Sequence, residues 1–487
     1  MKDSLQYIRS SLEHLDETLK DVKPGMALQK KIHPGNNLTV QNLFSYLALR
    51  NHDIRELQNM LHEKGLSSLA SSEGHIHRQI QEILLRIGVT IPSVQLSKCT
   101  FSYSRKKIMQ RSFQLFGKHI SCEQAAIMVT LDKTYLQEPE LISHLLKRGM
   151  NVARINTAHD DEAVWLQMIE AVRKSSRLCK LPCKIYMDLA GPKIRTRLPV
   201  EYTGNIKVME GDIVFLYEKD TPYKKGEKNI GCTHKGIVPQ LQKNNLVMFD
   251  DGIIEAIVKN VNNRFAELMI TRVPGRKAKI KTEKGLNFPD AILNINPLTV
   301  QDKRVIPFAV QYADIIGCSF IRSAEDVKRF QKLIGKMNKA KQKPFLVYKI
   351  ETPEAVLNLP QILLEGLTDA NFGIMIARGD LAVEIGFERM SEIQEEILWI
   401  CEAAHTPVIW ATQVLETLNK TGIATRSEIT DAYRSSQAEC VMLNKGTYIL
   451  NALTTLNDIL VRSGGHHLKK RSMFRSLKIA GHFFKNN

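Results

Sequence analysis

The hydrophobic pattern changes twice along the chain. Up to about residue 120, apolar residues recur at helical spacing. Leu43, Leu47, Leu57, Leu61 and Leu66 lie among good helix formers, and a second periodic stretch runs from Ile76 to Ile87. Ile91, Pro92 and Ser93 break the pattern. From Ala125 onward, short apolar runs alternate with amphipathic segments. The runs at 126–131, 152–156, 184–188, 314–320, 345–351, 373–377, 407–412 and 440–443 are bounded by turn residues and read as buried parallel strands. Helical segments at 138–148, 162–176, 324–339, 353–364, 390–404 and 448–461 follow most of them. This alternation predicts an α/β protein built on a TIM (β/α)8 barrel, with an open doubly wound sheet as the alternative.

One interval breaks the alternation. Between residues 197 and about 297 the helix period is absent. Short β-like runs at 213–217, 246–249, 253–258 and 267–270 replace it, separated by turn residues such as Asp250, Asp251 and Gly252. They predict a small all-β domain inserted after the third barrel strand, over the mouth where barrel chemistry sits, and suited to act as a lid that excludes water. The expected division is a helical N-terminal extension (1–121), a first barrel part (122–196), the β lid (197–296), a second barrel part (297–463) and a basic tail (464–487).

Composition narrows the class. Of 487 residues, 43% are hydrophobic and 24% charged, ordinary values for a globular protein. No run approaches the ~18 apolar residues a membrane span needs. The first residues lack the apolar core of a signal peptide. Eight cysteines are scattered, and only Cys179 and Cys183 lie close together, with no second pair to complete a zinc site. A reducing cytoplasm is the expected compartment. The net charge of +17 comes partly from the tail after residue 463, which has no acidic residue. Such a tail suits nucleic acid or anionic lipid as well as solvent, the solvated form being the simpler reading, and a positive field also suits polyanionic substrates. The barrel exterior leaves room for a homo-oligomer.

The candidate chemistry sits at strand ends. Arg154 and Asn156 end the second strand, and Asp188 ends the third, with Lys193 and Arg195 beyond it. Lys349 and Glu351 end the fifth, Gly379 and Asp380 follow the sixth, Thr412 ends the seventh, and Asn444, Lys445 and Gly446 follow the eighth. Each has a plain reading as a capping or pairing group, but convergence of so many on one mouth suits phosphoryl transfer. That reaction asks for positioning and charge neutralisation more than covalent chemistry. Glu351 and Asp380 are hard oxygen ligands suited to Mg²⁺. Arg154 and Arg195 can grip phosphate oxygens bidentately. Lys349 can neutralise the transferring group or a developing enolate. Gly379 gives close backbone access at a helix start, where amide N–H groups can hold a carboxylate.

Several stretches together resemble the pyruvate kinase family, over about residues 125–461. They are Gly149–Asn156 (GMNVARIN), Asp188–Thr196 (DLAGPKIRT), Asp250–Gly252 (DDG), Lys284–Pro289 (KGLNFP), Ser319–Arg322 (SFIR) and Lys349–Glu351 (KIE). Ile374–Glu384 (IMIARGDLAVE), Ala411–Glu416 (ATQVLE) and Thr425–Glu428 (TRSE) complete the set, in order and at family spacing. The resemblance implies conversion of phosphoenolpyruvate and ADP to pyruvate and ATP in glycolysis, with Mg²⁺. By position, it implies that Glu351 and Asp380 hold the metal, that Arg154 and Lys349 contact the phosphoryl group with Lys349 stabilising the enolate, and that Thr412 lies near the carbon to be protonated. Gly379 and Asp380 fall at substrate positions. Asn156, His159 and Arg195 fall at or beside nucleotide-phosphate positions, and Asp251 and Lys284 match lid residues that close on the nucleotide.

Departures from the family pattern carry their own expectations. The loop after the first strand, Thr130–Tyr135 (TLDKTY), replaces T-I-G-P-A-S and bears on nucleotide choice. Asn156–Asp160 (NTAHD) replaces N-F-S-H-G, so the serine that would bind K⁺ is Ala158. Lys193 stands where K⁺-requiring members resemble G-P-E, and an internal ammonium there implies that K⁺ is not required. Asn444–Thr447 (NKGT) replaces S-G-E-T. The chain also ends soon after the barrel, which by resemblance implies no sugar-phosphate allostery. Two alternatives stay open: a related Mg²⁺-dependent barrel enzyme acting on another enol phosphate or keto acid, and a retired barrel serving as a binding or regulatory protein.

Overall fold

Eight short runs with both faces apolar need cover on both sides, and closure into a cylinder provides it. A computed structural model of the chain describes residues 4–117, 124–138, 140–199, 204–219, 221–223, 226–337, 343–464, 467–468 and 471–472. In it, barrel strands β1 (Ala126–Leu131), β2 (Met150–Asn156), β3 (Lys184–Asp188), β4 (Ile315–Cys318), β5 (Phe345–Ile350), β6 (Gly373–Ala377), β7 (Val408–Ala411) and β8 (Cys440–Leu443) form one closed parallel barrel. They follow one another in chain order, and β1 pairs with both β2 and β8. The barrel reading therefore holds over the open sheet. Inward side chains of Met128, Val152, Tyr186, Val347, Met375, Ile409 and Met442 pack into a core inside the cylinder.

Several boundaries differ from expectation for local reasons. The strand expected to reach Phe320 stops at Cys318, because Phe320 adopts a positive φ of 54° and turns its N–H toward Glu351. The helix expected over 353–364 is two helices, Pro353–Leu357 and Leu359–Gly366, and Pro360 in the first turn of the second lacks the N–H a continuous helix needs. The helix expected from Glu138 begins at Leu141. The end of the helix expected to reach Lys339 lies outside the described residues, as does nearly all of the basic tail.

The segment after β3 forms a seven-stranded sheet with a separate two-stranded ribbon. Its longest strands, Ile254–Val261 and Phe265–Arg272, alternate buried and half-buried residues, the signature of a sheet with one face on a core. That core is distinct from the barrel's and includes Val214, Val247, Phe249, Ala256, Leu268 and Ile280.

The N-terminal helices dock on the barrel at the end opposite the strand tips. Asn36 donates to the Leu367 and Asp369 carbonyls at 2.9 and 2.8 Å, in the loop entering β6. Asn42 donates to Ala403 O at 2.9 Å, and Thr39 meets His405 Nδ1 at 2.8 Å, in the loop entering β7. Arg111, only 2% exposed, donates to Ala404 O, His405 O and Asn36 Oδ1 at 3.0, 2.8 and 2.6 Å. Burial pushes this guanidinium down to about 10, and the three oxygens accept from its Nη1 and Nη2 groups where water cannot, while Nε has no partner among the described residues. The helix Phe101–Phe116 ends by inserting Leu115 and Phe116 into the inner barrel core. The first helical region thus closes the bottom of the barrel.

Candidate active site

A parallel barrel aims the residues just past its strands at one mouth, and alternate strand residues share a face. Lys349 and Glu351, two apart at the end of β5, accordingly face inward together. Arg154, Asn156, Lys193, Arg195, Lys349, Glu351, Gly379, Asp380 and Thr412 line one cleft of about 190 Å³ at the mouth. Nine of the expected residues are brought together there.

At the floor of the cleft lies a charge cluster. Arg154 donates to Asp188 Oδ2 from Nε and Nη2 at 2.9 and 2.5 Å, and from Nη1 to Thr130 Oγ1 at 2.9 Å. Lys349 Nζ sits 3.4 Å from Asp188 Oδ1 and 3.1 Å from Glu351 Oε1, and donates to Ser319 Oγ at 2.8 Å. Glu351 Oε2 accepts the Phe320 N–H at 2.5 Å. Two cations and two carboxylates balance, which makes burial tolerable. Burial alone would push Lys349 down, but the charges of Asp188 and Glu351 outweigh it and hold the ammonium above its ordinary range. Burial raises Glu351, and the neighbouring Asp380 charge raises it further against the pull of Lys349. Asp188, a strand-end candidate to which the sequence assigns no role, and Ser319, not among the candidates, complete this cluster. Their signal was weak: Asp188 reads as a strand terminus and Ser319 as part of a short motif.

The donor chemistry fits Mg²⁺. Glu351 is a carboxylate whose charge is disfavoured by burial and by the neighbouring Asp380 carboxylate, and a cation between the two would offset both. Among the described residues no group of three or more His, Cys, Asp or Glu side chains converges on one point. Two protein carboxylates with substrate and water oxygens completing the shell is a usual Mg²⁺ arrangement.

The remaining expected residues are dispersed. His159 lines an adjoining cleft of about 270 Å³ over the ends of β1, β2 and β8, which shares Arg154 and Asn156 with the first. Two departures from the family pattern meet there, since Lys445 Nζ lies 3.0 Å from Asp132 Oδ2. Arg195, which lines the first cleft, also donates to Glu283 O at 3.0 Å. Asp251 and Lys284 line neither cleft: Lys284 pairs with Asp250 at 2.9 Å, and Asp251 lies 3.8 Å from Lys193. Arg378, next to Gly379 in sequence, turns away to Asp431 at 2.6 and 2.8 Å and stacks 4.8 Å from the Trp410 ring centroid.

Lid and barrel also meet at Glu384, whose Oε1 accepts from Asn287 Nδ2 of the lid at 2.7 Å. Burial in this seam raises its carboxyl to about 7. A folded value above the unfolded one favours the protonated form, so this stability is fully present below the unfolded value and is lost as pH rises through about 7. The melting temperature should fall between pH 5 and 8. Glu384→Gln should flatten that slope and stabilise the protein at pH 8 by about 2 kcal/mol, a figure reduced for partial solvent access. Thermal melts across that range check it, and parallel slopes for the two proteins would contradict it.

Comparisons with known proteins bear on the family and the fold. The family model "Pyruvate kinase, barrel domain" matches residues 122–452. A Staphylococcus saprophyticus pyruvate kinase is 30% identical over 333 residues, covering 67% of this chain and 54% of its own length. A Dictyostelium discoideum pyruvate kinase is 30% identical over 366 residues, covering 73% of this chain and 69% of its own. The chain thus spans little more than half the length of some relatives it matches. A crystal structure of a pyruvate kinase from Cryptosporidium parvum superposes with a TM-score of 0.64 at 24% identity, covering 72% of each chain, which speaks for the fold.

Proposed function

The chain belongs to the pyruvate kinase family, and on that premise we propose that it transfers the phosphoryl group of phosphoenolpyruvate to ADP, leaving pyruvate and ATP. The observation that carries this reading is Lys349: an ammonium held between Asp188 and Glu351 at 3.4 and 3.1 Å, beside Arg154 and a pair of metal-suited carboxylates.

The roles follow from position. Glu351 and Asp380 would hold Mg²⁺, which supplies positive charge to phosphoryl and enol oxygens. Arg154 grips the phosphoryl oxygens from the floor of the cleft, already oriented by Asp188 and Thr130. The bond between the enol oxygen and phosphorus breaks as the terminal ADP oxygen bonds to phosphorus. Lys349 stabilises the enolate oxygen left behind. The enolate carbon then takes a proton on the side where Thr412 lines the cleft. Gly379 lies close to Thr412, since a Cβ at that glycine would meet Oγ1 at 3.3 Å, so the missing side chain leaves backbone amides open to the substrate carboxylate. Asn156, His159 and Arg195 face the nucleotide side. Asp251 and Lys284 would join them through movement of the lid.

Steady-state assays coupled to pyruvate, run with several nucleoside diphosphates, test the proposal. Pyruvate released with ATP supports it. Pyruvate formed fast with another nucleotide and slowly with ADP would assign the Asp132–Lys445 pair to nucleotide choice. Magnesium-dependent phosphoenolpyruvate binding without transfer would favour a related barrel enzyme, and neither binding nor transfer a retired one.

We also expect turnover not to require K⁺. Ala158 removes an oxygen ligand for a monovalent cation, and Lys193 supplies a tethered ammonium at the same mouth with no separate binding cost. Turnover in tetramethylammonium buffer should change less than threefold on adding ~100 mM KCl at matched ionic strength. A tenfold rise would contradict the expectation.

A further inference from the structure

Lys193 is on the chain that leaves β3 for the lid, and its ammonium is engaged with the carboxylate read above as a metal ligand. Nζ lies 2.8 Å from Asp380 Oδ1 and 3.8 Å from Asp251 Oδ1. Asp380 belongs to the barrel, at the first turn of the helix Arg378–Ile385. Asp251 belongs to the lid, in a turn where Asp250, Asp251 and Gly252 have φ of 53°, 56° and 83°. One ammonium therefore faces both bodies.

We propose that Lys193 is a resident counter-ion on Asp380, displaced by a divalent cation toward Asp251, so that metal binding and a barrel–lid contact are one coupled event. The inference rests on the reading of Glu351 and Asp380 as the metal carboxylates.

Electrostatics makes joint occupancy costly. Mg²⁺ binds carboxylate oxygen at about 2 Å and demands defined directions around it. An ammonium on the same oxygen would lie roughly 4 Å from the metal, a repulsion of several kcal/mol at an effective dielectric near 20. Asp251 is the other carboxylate within reach, and a shift of about 1 Å would convert the 3.8 Å approach to ordinary pairing distance. Its neighbour Asp250 is already paired with Lys284 at 2.9 Å. Gly285 borders both side chains. A Cβ there would meet Lys193 Cε at 3.4 Å and Asp251 Oδ1 at 3.5 Å. The turn also sits close on the barrel, since a Cβ at Gly252 would meet Phe387 and Val383 at 3.4 and 3.8 Å. Pulling Asp251 toward Lys193 would therefore act on the lid where it already touches the helix carrying Asp380.

Mn²⁺ binding to the full chain, followed by the electron paramagnetic resonance of free Mn²⁺ without substrate or nucleotide, tests this apart from catalysis. Lys193→Met should tighten Mn²⁺ by about tenfold. Asp251→Asn should weaken it by about threefold or more when Lys193 is present and by less than twofold in the Lys193→Met background, since coupled residues give non-additive cycles. Unchanged or weaker binding by Lys193→Met overturns the proposal. So does an equal effect of Asp251→Asn in both backgrounds, the result expected if Lys193 acted only through its charge. Absence of Mn²⁺ binding from all four proteins would remove the metal reading and the inference together. Mn²⁺ binding with the expected cycle but no phosphoryl transfer would leave the inference standing and overturn the functional proposal alone. Both substituted side chains reach solvent, and melting curves of all four proteins keep a folding defect from passing as a binding effect.

Discussion

Lys349→Met is expected to lower turnover by at least ~100-fold, because a preorganised donor aimed at developing negative charge contributes several kcal/mol to the transition state. The loss should appear in kcat more than in KM for the nucleotide, since the ammonium lies on the cleft floor with Asp188, Glu351 and Ser319. The substitution also leaves two carboxylates, 1% and 2% exposed, without their shared cation. Some loss of stability is therefore expected, and Glu351 should be pushed further toward its protonated form. Lys349→Arg keeps the charge and should recover stability better than turnover, because a planar fork does not reproduce a point charge at this spacing. Steady-state kinetics beside thermal melts separate the two effects. Near-native turnover in the folded Met variant would remove Lys349 from the chemistry.

The second large effect is structural. Phe116→Ala should cost about 3–5 kcal/mol of global stability, the usual loss for a buried aromatic whose neighbours cannot collapse into the space. Phe116 is 1% exposed and lies in the inner barrel core with Met128, Val347 and Met375. Barrel side chains are fixed on a closed ring of strands, so the cavity would persist. Chemical denaturation should give one transition at a lower midpoint, with little change in its slope. A loss below ~1 kcal/mol would mean that the N-terminal helices are an ornament on a self-sufficient barrel.

The barrel was legible because its physics is repetitive. Strands such as Ala126–Leu131 and Gly373–Ala377 are buried throughout, so their sequence shows as an unbroken apolar run. The lid was legible for the opposite reason, since one-sided burial in Ile254–Val261 leaves an alternating pattern. What holds the N-terminal helices to the barrel was not legible. That contact is made by Asn36, Asn42 and Arg111 reaching carbonyls hundreds of residues away, and polar side chains carry no period that would mark them as buried. At the mouth, strand ends told which residues face the cleft but not how they pair. Asp188 reads as a terminus until Arg154 and Lys349 are seen on its two oxygens. Lys193 reads as an ammonium standing in for K⁺, with nothing in the sequence to show that its partners are Asp380 and Asp251.

The central claim is phosphoryl transfer from an enol phosphate to a nucleoside diphosphate, and ³¹P nuclear magnetic resonance follows the atom concerned. Phosphoenolpyruvate and ADP are mixed with Mg²⁺ and a catalytic amount of the protein. The enol phosphate resonance should decline while the three ATP resonances grow in equal amount, and Lys349→Met should slow both together by at least ~100-fold. An unchanged enol phosphate resonance, or its decline into free phosphate with no ATP, would contradict the claim.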